Sequence, residues 1–169
     1  FRQYYGEPRF RPSPETARRF AAGLWGRKTG AGFYRYEEGR KVEPPEEPAP
    51  TTLPRNVWVS AAEPEARAKI LAVLGDLGAG VTIEDGAVPS DDALILVTPL
   101  GNDATTAAID EGVDAGRTVA VDTVVDLERR ITLMTTPATQ PSAREGASAL
   151  FAATGARVTV IGDSPGFIA

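Results

Sequence analysis

Three clusters in the sequence carry side chains suited to chemistry: the loop Gly26-Arg27-Lys28-Thr29-Gly30-Ala31-Gly32, the stretch Ser60-Ala61-Ala62-Glu63-Pro64-Glu65, and Ser90-Asp91-Asp92 with Asp122 and Asp126. Arg27 and Lys28 are cations on a glycine-rich loop and are the candidate phosphate partners of the chain. The loop is not a P-loop, because Arg27 stands where a glycine must precede the lysine and no strand leads into it. Its Lys-Thr-Gly triplet lacks the Ser-x-x-Lys partner that would supply a nucleophile. A surface loop that turns through glycines and pins Phe33, Tyr34 and Tyr36 to a neighbour is the plainer reading.

Ser60–Glu65 sits where a strand passes into a helix, the place at which a dinucleotide fold needs glycines so that the backbone can approach a pyrophosphate. None is present. Pro64 removes a donor, and Glu63 and Glu65 put negative charge where phosphate would lie, although both suit the start of a helix. Glu84 or Asp85, after the second strand, are the acidic residues placed to meet a ribose. Gly75-x-x-Gly78-x-Gly80 has the glycines of a nucleotide loop in the wrong order, helix before strand, and reads as a helix stop. The aspartates offer oxygen ligands to a hard cation, but without EF-hand spacing, and they suit turns equally well; no metal site is expected.

Composition closes many routes. The chain has no His and no Cys, which excludes histidine general bases, Ser-His-acid and Cys-His arrangements, thiolate zinc and disulfides within it. Its 169 residues, 42% apolar and 24% charged, match an ordinary globular mix. A net charge of −5 gives no general reason to bind nucleic acid, no apolar run approaches a membrane span, and no signal peptide opens the chain. A cytoplasmic protein that meets small molecules or protein surfaces is expected. Phe1 in place of Met, and Ala169 directly after an apolar run, make the sequence read as an internal piece of a longer polypeptide.

The elements that would position these residues fall into two parts. Residues 1–42 are rich in Arg, Gly and aromatics, with one short helix from Pro14 to about Gly23, capped by Ser13. Residues 43–55 hold too many prolines for regular structure and read as an exposed linker. From Asn56 onward strand-like runs (Val57–Ser60, Gly80–Glu84, Ala93–Thr98, Thr118–Asp122, Ile131–Thr135, Arg157–Gly162) alternate with helical stretches (Glu63–Leu77, Asn102–Ala115, Pro141–Thr154). Near-continuous apolar strands separated by helices call for an α/β fold: a Rossmann-like, mostly parallel sheet with flanking helices, preceded by a short helical and irregular segment.

Two motifs go further. Arg9-Phe10-Arg11-Pro12-Ser13-Pro14 followed by Gly26-Arg27-Lys28-Thr29-Gly30-Ala31-Gly32-Phe33-Tyr34-Arg35-Tyr36 resembles the segment that ends the helical C-terminal domain of 3-hydroxyacyl-CoA dehydrogenases. Val158-Thr159-Val160-Ile161-Gly162-Asp163-Ser164-Pro165-Gly166-Phe167-Ile168 resembles the junction of that family's nucleotide domain with its helical domain. The order is that of a tandem-duplicated bacterial form. On that resemblance residues 1–42 are the tail of a first helical domain, 43–55 the linker, 56–163 a second nucleotide-like domain, and 164–169 the start of the next helical domain.

The resemblance implies a parent enzyme that oxidises the 3-hydroxyl of an acyl-CoA with NAD, in fatty-acid β-oxidation or phenylacetate-type degradation. The family's His lies in a His-x-Phe-Asn-Pro-like stretch. Here that stretch is Leu133-Met134-Thr135-Thr136-Pro137, with Leu133 at the His position and Thr136 at the Asn position; leucine cannot accept a proton. The segment itself is therefore expected to be catalytically silent, without NAD and without a catalytic residue of its own. Two alternatives stand beside this. One is a module binding CoA or an adenine nucleotide without chemistry, Arg27 and Lys28 meeting its phosphates. The other is an assembly domain whose apolar surface near Phe33, Tyr34 and Phe167 is covered in the whole enzyme, or by a homodimer of the fragment.

Overall fold

A computed structural model describes residues 8–42, 48–77, 80–124 and 127–165. The chain divides into two compact units, Phe1–Glu47 and Pro48–Ala169, and the division falls within the proline-rich stretch. Glu43–Glu47, Gly78, Asp126 and the Gly166-Phe167-Ile168 portion of the second motif lie outside the described residues.

In the first unit, helix α1 spans Pro14–Ala21. It starts where the sequence sets a cap: the Ser13 hydroxyl accepts the Thr16 N–H at 3.2 Å and Pro14 occupies the first turn. Strands β1 (Arg35–Glu37) and β2 (Arg40–Val42) form an antiparallel hairpin that was not foreseen. Its turn residues Glu38 and Gly39 have φ of 49° and 76°. Positive φ at both positions gives the twist that a two-residue hairpin needs, and glycine adopts it without a Cβ penalty. Three-residue strands are too short for periodicity to reveal. None of residues 8–42 is buried.

The second unit is built on a six-stranded sheet in the order β4-β3-β5-β6-β7-β8. The strands are β3 (Asn56–Val59), β4 (Thr82–Glu84), β5 (Leu94–Val97), β6 (Thr118–Val121), β7 (Arg130–Thr135) and β8 (Arg157–Ile161), with helices α2 (Pro64–Leu74), α3 (Ala104–Asp110) and α4 (Pro141–Ala152). Every neighbouring pair is parallel except β6–β7. That exception follows from chain length. Only Asp122–Arg129 connects β6 to β7, too few residues for a crossover helix, so the strand must return antiparallel. The result is a Rossmann-like α/β fold. Helix α3 is shorter than its apolar pattern suggests, because Asp103 caps its start and the chain turns at Glu111 and Gly112.

Alternation along the strands sorts the core into two layers. Val57, Val59, Leu94, Leu96, Val119, Val121, Ile131 and Leu133 pack with Ile70 and Leu74 of α2 and with Leu150 and Phe151 of α4. Trp58, Ile95, Val97, Ala120 and Met134 pack with Ala104 and Ala107 of α3. Strands β5 and β6 are buried at every position, as expected for parallel strands covered on both faces. Phe151 is fully buried, so Phe151→Ala should cost about 3–5 kcal/mol. Urea unfolding should show this as a lowered midpoint with unchanged slope.

Three exposed or nearly exposed aspartates tie loops to this frame. Asp103 accepts the Thr106 N–H at 2.7 Å, which lowers its pKa below the ordinary 3.8. Arg117 lowers that of Asp114 through a 3.0 Å contact, helped by the Gly116 N–H. Ser90 and then Asn56 lower that of Asp92. A carboxylate whose folded pKa is depressed contributes stability above its unfolded value and loses it as pH falls through the folded one. The urea midpoint should therefore drop as pH goes below 3.8, and Asp103→Asn, which keeps a capping oxygen but no charge, should flatten that drop.

Candidate functional site

The turn from β3 into α2 occupies the place of a dinucleotide-binding turn, and its polar groups are already used. Ser60 is fully buried. Its N–H donates to the Leu96 carbonyl at 2.8 Å. Its hydroxyl accepts the Ala62 N–H at 3.1 Å and donates to the Glu111 carboxylate. Helix α2 opens at Pro64 with no side-chain cap from Glu63, and Glu65 lies in its first turn. Two N–H groups of the turn, those of Ser60 and Ala62, are thus consumed internally, Pro64 has none to give, and the carboxylates of Glu63, Glu65 and Glu111 add negative charge. An incoming phosphate meets few donors and an unfavourable field.

The acidic residues considered for a ribose are also engaged. Glu84 accepts the Ser90 N–H at 2.9 Å and the Ser90 hydroxyl, while Asp85 lies 3.9 Å from Arg67. Gly75 follows the last residue of α2 with right-handed helical angles (φ −60°, ψ −22°), and the chain continues as a 3-10 turn over Gly75–Leu77. The aspartates weighed as cation ligands are not brought together. Asp92 precedes β5 and accepts from Asn56 and Ser90, Asp91 is exposed, and Asp122 follows β6, at the opposite end of the parallel strands. Among the described residues no group of three His, Cys, Asp or Glu side chains can hold a metal ion. Leu133, at the family's His position, is fully buried in the core opposite Val121; Thr136 donates to the Ala115 carbonyl at 3.0 Å, and Pro137 is exposed.

Strand order reverses at β3, which has β4 on one side and β5 on the other, so the crevice beyond the carboxyl ends of β3 and β5 is a topological switch point. Ser60, Thr98, Asp122 and Thr123 are buried there at the ends of β3, β5 and β6. Lys69 of α2 donates to the Thr123 carbonyl at 3.0 Å, and Asp122 accepts the Val124 N–H. Among the described residues, Thr98 Oγ1 is the one buried side-chain polar atom without a hydrogen-bond partner. Sequence reasoning did not single out Thr98. Its signal was a hydroxyl set directly after the wholly apolar Leu94–Val97.

In the first unit the glycine loop folds back on itself. Gly26 N–H donates to Ala31 O at 2.8 Å, Thr29 N–H to Gly26 O at 3.1 Å, and Tyr36 N–H to Gly30 O at 2.7 Å. The Thr29 hydroxyl bridges the Trp25 N–H and the Ala31 carbonyl, each at 3.0 Å. Arg27 lies 5.9 Å from the Tyr36 ring, whereas Lys28 lines a cleft of about 590 Å³ walled by Phe20, Leu24, Trp25, Phe33, Tyr34 and Tyr36. Both cations are exposed. The loop therefore presents Lys28 to an apolar cleft and lays Arg27 near an aromatic ring.

No model of a known protein family matches the chain, and no curated protein is significantly similar to it.

The spacing of Gly26 and Gly32 has a steric cause. A Cβ on Gly32 would lie 2.7 Å from Gly26 Cα and 2.8 Å from Gly26 N, backbone atoms that cannot swing away. Gly32→Ala should open the loop. In a two-dimensional NMR spectrum the amides of residues 24–36 should move or broaden while those of 56–161 keep their positions; an unchanged 24–36 set would refute the close-approach argument.

Proposed function

We propose that the chain is part of an NAD-dependent (S)-3-hydroxyacyl-CoA dehydrogenase, and that its Rossmann-like unit is a non-catalytic structural domain of that enzyme. The observation that carries the second half is the Ser60–Glu65 turn, in which the Ser60 and Ala62 N–H groups are bonded within the protein, Pro64 has none, and Glu63, Glu65 and Glu111 make the surroundings acidic. Leu133 in the core supports it, since that position has neither a proton acceptor nor access to a substrate. The family assignment rests on the motifs at Arg9–Pro14, Gly26–Tyr36 and Val158–Ile168. Under this reading the parent enzyme uses NAD and an acyl-CoA in the cytoplasm, for fatty-acid or aromatic-acid degradation. The chemistry belongs to another part of that enzyme, and this unit contributes shape and surface. Among the described residues no helix is long and apolar enough to cross a membrane.

Thr98 favours a second reading, in which the crevice at the strand ends takes CoA or an adenine nucleotide without chemistry. An unpaired buried hydroxyl costs free energy that a ligand hydrogen bond would recover. Fluorescence titration of the chain with NADH, repeated with acetoacetyl-CoA, separates the two. The structural reading expects no saturable binding of either. Saturable NADH binding would overturn the reading of the Ser60–Glu65 turn, and acyl-CoA binding abolished by Thr98→Val would establish the second reading.

A further inference from the structure

The chain contains ten aspartates, and one of them, Asp85, is followed by glycine. An aspartyl carboxyl can be attacked by the backbone nitrogen of the next residue, and a side chain on that residue crowds the approach. Glycine removes the crowding and lets the backbone turn into the geometry of attack. The fold adds to this difference. Asp103 accepts the Thr106 N–H at 2.7 Å, Asp114 the Gly116 N–H at 2.8 Å, and Asp163 the Ala104 N–H at 2.9 Å, so these carboxylates are fixed on other partners. The Asp85 side chain is 98% exposed, and among the described residues its one polar partner is Arg67, at 3.9 Å. It leaves the sheet just after β4, and Asp85, Gly86, Ala87 and Val88 are all exposed. The Gly86 N–H has no hydrogen-bond partner among the described residues.

We propose that Asp85 is a site of spontaneous isomerisation to isoaspartate, and that the change releases a core tryptophan from the loop after β4. The Gly86 nitrogen bonds to Asp85 Cγ, the amide proton and the carboxyl hydroxyl leave as water, and a succinimide ring closes. Water then opens the ring. Cleavage at the side-chain carbonyl restores Asp85, whereas cleavage at the main-chain carbonyl routes the backbone through Cβ and Cγ and leaves the α-carboxylate as the side group. Nothing is oxidised or reduced, and water is the sole co-reactant. The product keeps the charge of aspartate and adds one main-chain carbon directly before Gly86. That carbon matters because the Gly86 carbonyl accepts the indole N–H of Trp58 at 2.8 Å, and Trp58, 6% exposed, packs in the layer of α3. Displacing the carbonyl leaves a buried donor unpaired. The inference rests on this loop and not on the dehydrogenase reading, so each can fail without the other.

The test is storage of the full chain at physiological temperature and pH, followed by two assays. Peptide mass mapping with electron-transfer fragmentation separates isoaspartate from aspartate, and an isoaspartyl methyltransferase with S-adenosylmethionine labels the new carboxylate. Isoaspartate should accumulate at position 85 and at none of the other aspartates. Asp85→Glu, an exposed change whose longer side chain disfavours the ring, should abolish the signal. Asp85→Asn should reach the same products faster, releasing ammonia in place of water. In two-dimensional NMR a second Trp58 indole signal should grow in step with the isoaspartate while the Trp25 indole signal stays single. Asp85 persisting unchanged over the time in which Asp85→Asn converts, a similar yield at other aspartates, or labelling that survives Asp85→Glu would overturn the site. A Trp58 indole signal that stays in place as isoaspartate accumulates would overturn its link to the core.

Discussion

The second unit depends on one constraint: β5 and β6 are covered on both faces, so each of their side chains must be apolar or internally satisfied. A strand places alternate residues on opposite faces, and here the alternation feeds two separate layers. Val57 and Val59 join the layer shared with α2 and α4, while Trp58 between them joins the layer of α3. A register shift of one residue would exchange the two sets. It would press Trp58 into the space of a valine and leave the small alanines of α3 facing a void. The pairing Trp58↔Ile95 and Val59↔Leu96 is therefore held by side-chain volume as much as by the ladder of hydrogen bonds. Trp58 adds a polar lock, its indole N–H donating to the Gly86 carbonyl at 2.8 Å.

The same constraint explains which parts of the fold were legible in the sequence. Buried strands read as unbroken apolar runs, and six such runs separated by helical stretches are enough to specify a mostly parallel sheet. Helix starts were legible where they obey local chemistry, as at Ser13-Pro14 and Pro64. Two features escaped. The return of β7 is a matter of distance along the chain, since Asp122–Arg129 looks no different in composition from any other connection. The hairpin at Arg35–Val42 is pinned by the Glu38-Gly39 turn, a two-residue signal in a stretch without a periodic pattern. The cleft around Trp25 was visible only as a count of aromatics, because its walls meet through the closure of the loop between Gly26 and Gly32 and not through any regular element.

The first unit obeys a different rule. With no buried residue among those described, it draws its order from hydrogen bonds and close backbone approach: Ser13 on α1, Thr29 across the loop, Arg19 on Gly32, and Gly32 against Gly26. Such interactions each contribute about 1 kcal/mol net and specify shape better than they supply stability. A motif of glycines, cations and aromatics can thus look like a ligand loop in sequence and yet have its glycines explained by the turn alone. Lys28 and the cleft beside it are what that explanation leaves over.

The polar groups at the strand ends follow from a single accounting rule. Buried donors and acceptors must be paired, whether by a bound molecule or by the protein itself. A turn that receives a pyrophosphate keeps its N–H groups open and needs glycine to let the ligand near. Here the Ala62 N–H is met by the Ser60 hydroxyl, which in turn donates to the Glu111 carboxylate. The missing glycines and the Ser60–Glu111 bond are then two expressions of one state of the turn, since a hydroxyl on Ser60 can only be buried if a partner such as Glu111 meets it. Thr136 and Thr139 satisfy the rule at the other end of β6, bonding to each other and to the Ala115 and Thr118 carbonyls. Thr98 does not satisfy it. Among the described residues its hydroxyl is the one buried side-chain polar atom left unpaired, and a hydrogen bond added there would recover the cost of that burial.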